Sequence, residues 1–148
     1  MARTKATEPR TPSYPPRDAY GRIGTWMDML GGVAFSMILG VILLFVIDGL
    51  FSVLGRSGFG SFSGWVAGVL AVWLFVEDFR AWKGVRARAG VMLIAAALGF
   101  LAGGALNVAI ASLPRVYSGA ISVTLAALVY AVVWYFGIRA LAGRVGEG

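Results

Sequence analysis

The sequence contains no cysteine and no histidine. The first absence removes disulfides, thiolate nucleophiles and thiolate metal ligands. The second removes most zinc sites and the commonest general base. Of the usual haem ligands only Met and Tyr remain, so neither a cofactor nor a metal is expected. Amide side chains are almost missing too, with Asn107 the single Asn and no Gln. Charge is scarce, at 14% of residues.

What fills the chain instead is apolar. Of 148 residues, 59% are hydrophobic, and the mean hydropathy is +0.80. A soluble domain of this size cannot bury so much apolar surface, so lipid must solvate part of it. The length suits one domain. The Ala/Gly/Val/Arg-rich usage suggests a bacterial source.

A hydrocarbon core about 30 Å thick is crossed by roughly 20 apolar residues in a helix. Four runs approach that length. They lie at about 29–47, continuing past Asp48 to Val53, and at about 60–76, 90–111 and 118–138. They are continuously apolar rather than alternating, and four strands cannot close a membrane barrel. The expected fold is therefore all-α: a polytopic integral membrane protein with four transmembrane helices. A basic, Pro-rich tail (1–25) precedes a transmembrane domain (26–148) made of hairpins at about 29–84 and 88–143. The first run is too long for a signal-peptide core, and no A-x-A-like site follows it, so it is expected to remain as a span.

Flanking charge orients the spans. Arg3, Lys5, Arg10, Arg17 and Arg22 precede the first run. Arg80, Lys83, Arg86 and Arg88 lie between the second and third, and Arg139 and Arg144 follow the fourth. The opposite ends carry only Arg56 and Arg115. Basic residues near span ends stay in the cytoplasm, which places both termini there, in a plasma (inner) membrane. The net charge of +6 fits anionic headgroups better than nucleic acid. Arg80, Lys83, Arg86, Arg88, Arg139 and Arg144 are the candidate headgroup ligands. The tail holds Pro9, Pro12, Pro15 and Pro16 and is expected to be an extended tether on anionic lipid.

Sliding residues 31–84 onto 90–143 matches Leu39-Gly40 with Leu98-Gly99, and Leu54 and Arg56 with Leu113 and Arg115. It also matches Gly60, Ser63 and Ala67 with Gly119, Ser122 and Ala126, and Arg80-Ala81 with Arg139-Ala140. Two parallel hairpin repeats, related by an axis along the membrane normal, would produce this pattern.

Helix contacts in lipid need small residues, because hydrophobicity gives little drive there. Four-residue ladders occur in every run: Gly32, Ser36 and Gly40; Gly60, Gly64 and Gly68; Ala95, Gly99 and Gly103; Ser118, Ser122 and Ala126. Such spacing is expected to serve a tight bundle within the chain, with a partner's helix as the alternative.

Few residues could carry chemistry. Asp48 is an acid at the outer end of the first run. An intramembrane carboxylate is costly and marks a candidate cation or proton site, while an Asp that merely ends the span would face headgroups. The internal match puts Asn107 opposite it. Glu77 and Asp78 sit beside Arg80, Lys83, Arg86 and Arg88 and read as a solvated helix end rather than an acid–base pair. Ser36, Ser61, Ser63 and Ser122 have no activating base, and no catalytic residue is assigned.

The expected function is non-enzymatic: a small membrane subunit or anchor that packs with other membrane chains or with itself as a homo-oligomer. The alternative is a conduit for a small cation or proton using Asp48 and Asn107. A holin-like pore former is a third reading.

Overall fold

The computed structural model describes residues 14–56, 58–83 and 87–145. Arg3, Lys5, Pro9, Arg10, Pro12, Gly84 and Arg86 lie outside them. The regular structure within them is helical: α1 Trp26–Val53, α2 Val69–Ala81, α3 Arg88–Ala109 and α4 Arg115–Val145, with a 3-10 turn, Gly64–Gly68, leading into α2. No strand occurs among the described residues, where an isolated bridge joins Arg17 and Ile23. Trp26–Val53, Arg88–Ala109 and Arg115–Arg144 are long and apolar enough to cross a membrane. The chain is thus all-α, with three helices of the kind a membrane protein needs.

α1 starts a turn earlier than hydropathy suggests. Thr25 and Asp28 form a capping box: the Asp28 N–H donates to the Thr25 hydroxyl at 3.1 Å, and the Thr25 N–H to the Asp28 carboxylate at 3.2 Å. The reciprocal bonds satisfy two backbone donors that the first helical turn would otherwise orphan. Met29, Val33, Met37, Gly40, Leu44 and Asp48 form the buried stripe of α1. The opposite face is equally apolar and exposed, including Ile38, Ile42, Val46 and Leu50. Apolar residues on both faces mark a helix whose outer side meets lipid.

The second run departs from the expected single helix. It opens with the 3-10 turn, and α2 has only 13 residues. Close packing explains the change. A Cβ on Gly64 would overlap the Ala120 nitrogen and the Val116 carbonyl oxygen of α4, and one on Gly40 would overlap the Ala67 carbonyl oxygen. The turn is therefore a wedge whose small residues, Gly64, Ala67 and Gly68, press between α1 and α4. Ser63 caps it, its hydroxyl accepting from the Trp65 N–H at 3.4 Å.

α3 packs chiefly on α4, whereas α2 leans on α1. Aromatic side chains bridge α2 to α4, with ring centroids 4.2 Å apart for Phe75–Tyr130 and 5.9 Å for Phe79–Trp134. Between α2 and α3 a lateral groove is left open.

The described part of the tail is folded against the helices rather than extended away from them. The Asp18 carboxylate accepts from the Tyr20 and Arg22 N–H groups, each at 2.8 Å, and Gly21 takes the left-handed φ of 83° that the turn requires. Tyr14 packs edge-on to Phe35 at 5.2 Å. Arg17 pairs with the exposed Glu77 at 2.9 Å.

Candidate functional site

Two buried carboxylates mark the two ends of the bundle. Asp48 is 0% exposed on the inner face of α1. One carboxylate oxygen accepts a short bond from the Gly60 N–H, and the other accepts from the Phe62 N–H at 3.3 Å. The aspartate therefore neither ends the span nor faces headgroups. It ties the irregular 58–63 segment to α1, satisfying backbone donors that apolar surroundings would leave unpaired. Asn107 sits near the end of α3, half-buried, and its side-chain oxygen accepts from the Ser122 hydroxyl at 3.4 Å. No hydrogen bond joins Asp48 to Asn107 among the described residues. Asp48 instead holds the segment that follows α1, and Asn107 bonds to α4 two turns from its start.

Asp78 corrects the reading of a solvated helix end. Glu77 is exposed as expected, but Asp78 is 1% exposed. One Asp78 oxygen accepts from the Ile23 N–H at 2.9 Å. The other accepts from the indole N–H groups of Trp134, at 2.7 Å, and Trp82, at 3.3 Å. Three donors from the tail, α4 and the end of α2 converge on this one carboxylate. The local sequence Glu-Asp-Phe-Arg conceals it, because its partners lie 55 and 56 residues away. The nearest available signal was Trp82, one helical turn on, which places a donor over the same face.

Arg139 belongs to the same end. Its half-buried guanidinium is engaged within the chain, donating to the carbonyl oxygens of Ile23, Gly24 and Tyr135. It also lies 3.5 Å from the Tyr135 ring centroid and 5.5 Å from that of Trp82. Arg22 lies over the same Trp82 ring, 4.3 Å from its centroid, and over that of Tyr20 at 5.1 Å. Carbonyl acceptors of the tail turn and ring faces together outcompete an outward position. Arg80, Lys83 and Arg144 are exposed and Arg88 is half-buried, while Arg86 falls outside the described residues.

The small-residue ladders are used within the chain. A Cβ on Gly99 would come within 2.7 Å of the Ala126 carbonyl oxygen, and one on Gly103 within 2.7 Å of the Ser122 carbonyl oxygen. Gly68 lies against Val123, and Gly32 against Leu74 and Pro15. Ala95, Ser122 and Ala126 are buried, and the Ser118 hydroxyl donates to the Arg115 carbonyl at 3.5 Å. Ser36 is only half-buried, and Gly60 stands apart from its ladder. With φ at 83° and open space around it, Gly60 serves a turn and a hydrogen bond rather than a helix contact.

The groove between α2 and α3 has a volume of about 510 Å³. It runs from Trp65 to Phe79 along the α2 side and from Met92 to Phe100 along α3, with Ala126 and Tyr130 of α4 beneath. Neither Asp48 nor Asn107 lines it, nor do they line the shallower groove of about 300 Å³ among the tail, α1 and α2. Among known proteins, no family model matches this chain, and neither a curated protein nor a solved structure does.

Proposed function

We propose that this chain is a small non-enzymatic subunit or anchor of a plasma-membrane assembly. It would cross the bilayer four times with both termini in the cytoplasm, and pack with other membrane chains or with further copies of itself. Length favours the fourth crossing. The five-residue 3-10 turn and thirteen-residue α2, at about 2.0 and 1.5 Å per residue, reach roughly 30 Å, the depth of a hydrocarbon core. Charge favours the orientation, since Arg17, Arg22, Arg80, Lys83, Arg88, Arg139 and Arg144 would share the cytoplasmic side. Two parallel hairpins derived by duplication remain part of the proposal. In each half, a polar residue late in the first helix bonds to the element that follows, Asp48 to the backbone at Gly60 and Phe62 and Asn107 to Ser122, two turns into α4.

The observation that carries a structural role is how the buried polar groups are spent. Asp48, Asp78, Ser118 and Ser122 all bond within the chain. Arg22 Nε is the one buried side-chain N or O without a partner among the described residues, and its guanidinium lies against aromatic rings. Among the described residues both buried carboxylates, Asp48 and Asp78, are taken up by N–H donors of the chain itself, so the conduit reading gains nothing from this geometry. The partner-facing surface would be the outer side of α3, where Leu93, Ile94, Leu101 and Val108 are exposed, because the glycine ladders are already occupied.

Extraction of the full chain with its surrounding bilayer, followed by mass measurement, tests this reading. The proposal expects a homo-oligomer or a stoichiometric second membrane chain, and no ion flux from the protein in liposomes. A lone monomer that conducts cations or protons, with conduction abolished by Asp48→Asn, would replace it with the conduit.

A further inference from the structure

We propose that the lateral groove between α2 and α3 is a binding site for an anionic glycerophospholipid, with one acyl chain in the groove and the phosphate held by Arg80, Lys83 and Arg88. This inference deepens the membrane-subunit reading and rests on the bilayer placement it gives α2 and α3.

The occupant follows from the chemistry of the groove and of its end. The walls are hydrocarbon and aromatic, with Val72, Val76 and Met92 between Trp65 and Phe79. Of the lining residues, Trp65 and Tyr130 alone carry a polar side-chain atom. A group inserted here must therefore be apolar, since a polar one would lose its hydrogen bonds to water without replacement. The volume of about 510 Å³ falls within the roughly 300–1,000 Å³ of ordinary ligand sites. Its length also suits a lipid tail. From Trp65 to Phe79 the wall spans roughly 20 Å at 1.5 Å per residue, more than the ~15 Å depth of one leaflet of hydrocarbon.

Cations lie beside the Phe79 end. Phe79 closes the groove there, and the Arg88 guanidinium stands 4.5 Å from its ring centroid while donating to its carbonyl oxygen at 3.3 Å. Arg80 follows Phe79 in sequence, and both Arg80 and Lys83 are exposed. The remaining N–H groups of Arg88 suit bidentate capture of a phosphate. No acidic residue lines the groove. Glu77, the exposed acid nearest in sequence, is bonded to Arg17 and Trp73. An apolar slot of leaflet depth with Arg88 on its terminal Phe79, and with exposed Arg80 and Lys83 next along the chain, is complementary to an anionic lipid, whereas a neutral lipid or an apolar partner helix would leave the cations unused.

The test uses the full chain, stripped of lipid in mild detergent and offered equal amounts of phosphatidylglycerol and phosphatidylcholine, with bound lipid counted by native mass spectrometry. The expected result is about one retained phosphatidylglycerol per chain, in preference to phosphatidylcholine. Each neutralised charge should weaken retention about fivefold, so Arg80→Gln with Lys83→Gln should weaken it roughly 25-fold. These two side chains are exposed, so the doubly substituted chain should fold even if Arg88→Gln, which also loses the bond to Phe79, does not. Ala96→Phe should displace both lipids by filling the groove, and Val72→Phe, at an exposed rim position, offers the same block with less risk to folding. Equal retention of the two lipids, retention unchanged by the charge substitutions, or a protein chain found in the groove would overturn the inference. Loss of lipid selectivity in a chain that still inserts with four crossings would overturn this inference alone. Failure to enter a bilayer would overturn the reading beneath it.

Discussion

Replacing Asp78 by Ala should be among the most damaging single changes in this chain. The carboxylate takes three N–H donors, from Ile23, Trp82 and Trp134, whose residues are 1%, 5% and 0% exposed. Each buried donor left without an acceptor costs about 1–3 kcal/mol. Trp82 lies nearest the surface and can recover a water, so the loss should be about 3–5 kcal/mol, the range for breaking a buried charged contact. Most of the penalty belongs to the orphaned donors, which a double-mutant cycle can separate from the Asp78–Trp134 bond itself. Polar pairs between membrane helices average roughly 0.6 kcal/mol in such cycles, with a maximum of roughly 1.7. A fully buried bond of 2.7 Å should sit near the top, at about 1.5 kcal/mol. Asp78→Ala, Trp134→Phe and the double variant can be compared by denaturant titration in bicelles, followed by helix circular dichroism. A loss below about 0.5 kcal/mol for Asp78→Ala, within the ordinary range for a surface site, would mean that Asp78 is solvated and the cluster absent.

Other perturbations have equally definite outcomes. Gly64→Leu and Gly99→Leu should each lower the unfolding midpoint in detergent by at least the ~1–3 kcal/mol of overpacking, because both backbones touch α4 directly; unchanged midpoints would place both glycines toward lipid. Gly104→Leu, with open space around its α-carbon, should be neutral by the same measure. Asp48→Ala should free the 58–63 segment, seen as faster hydrogen exchange at Gly60 and Phe62, while the helix content is kept; unchanged exchange there would show that the two backbone bonds to Asp48 do not restrain the loop.

The sequence makes the helices legible because lipid imposes a simple requirement on length and hydropathy. α1, continuing through Asp48 to Val53, α3 and α4 fall within a few residues of their expected bounds, apart from the longer far end of α4. The ladders were legible for the same reason, since close helix approach in lipid demands small residues. The 3-10 wedge was not. It depends on Gly40 and Gly119 pressing on Ala67 and Gly64 from other segments, and hydropathy carries no trace of that. Asp48 stood out because an acid within an apolar run is costly. Asp78 did not, because its sequence neighbours are charged and its partners are distant. The folded tail was hidden by its prolines, whose local preference for extension is overridden by the Asp18 turn and the contacts of Tyr14 and Ile23 with the bundle.

The central claim is that Gly64–Ala81 crosses the bilayer and returns both termini to one side. The absence of cysteine lets single substitutions report this cleanly, because each introduced thiol is the only one in the chain. Ser57→Cys, Ala87→Cys and Gly148→Cys can be labelled with a membrane-impermeant thiol reagent in intact cells and again after permeabilisation. Four crossings predict that Ser57→Cys reacts from outside, whereas Ala87→Cys and Gly148→Cys react only once the membrane is opened. If Ser57→Cys and Ala87→Cys react from the same side, α2 does not cross, the chain has three spans, and the account is wrong.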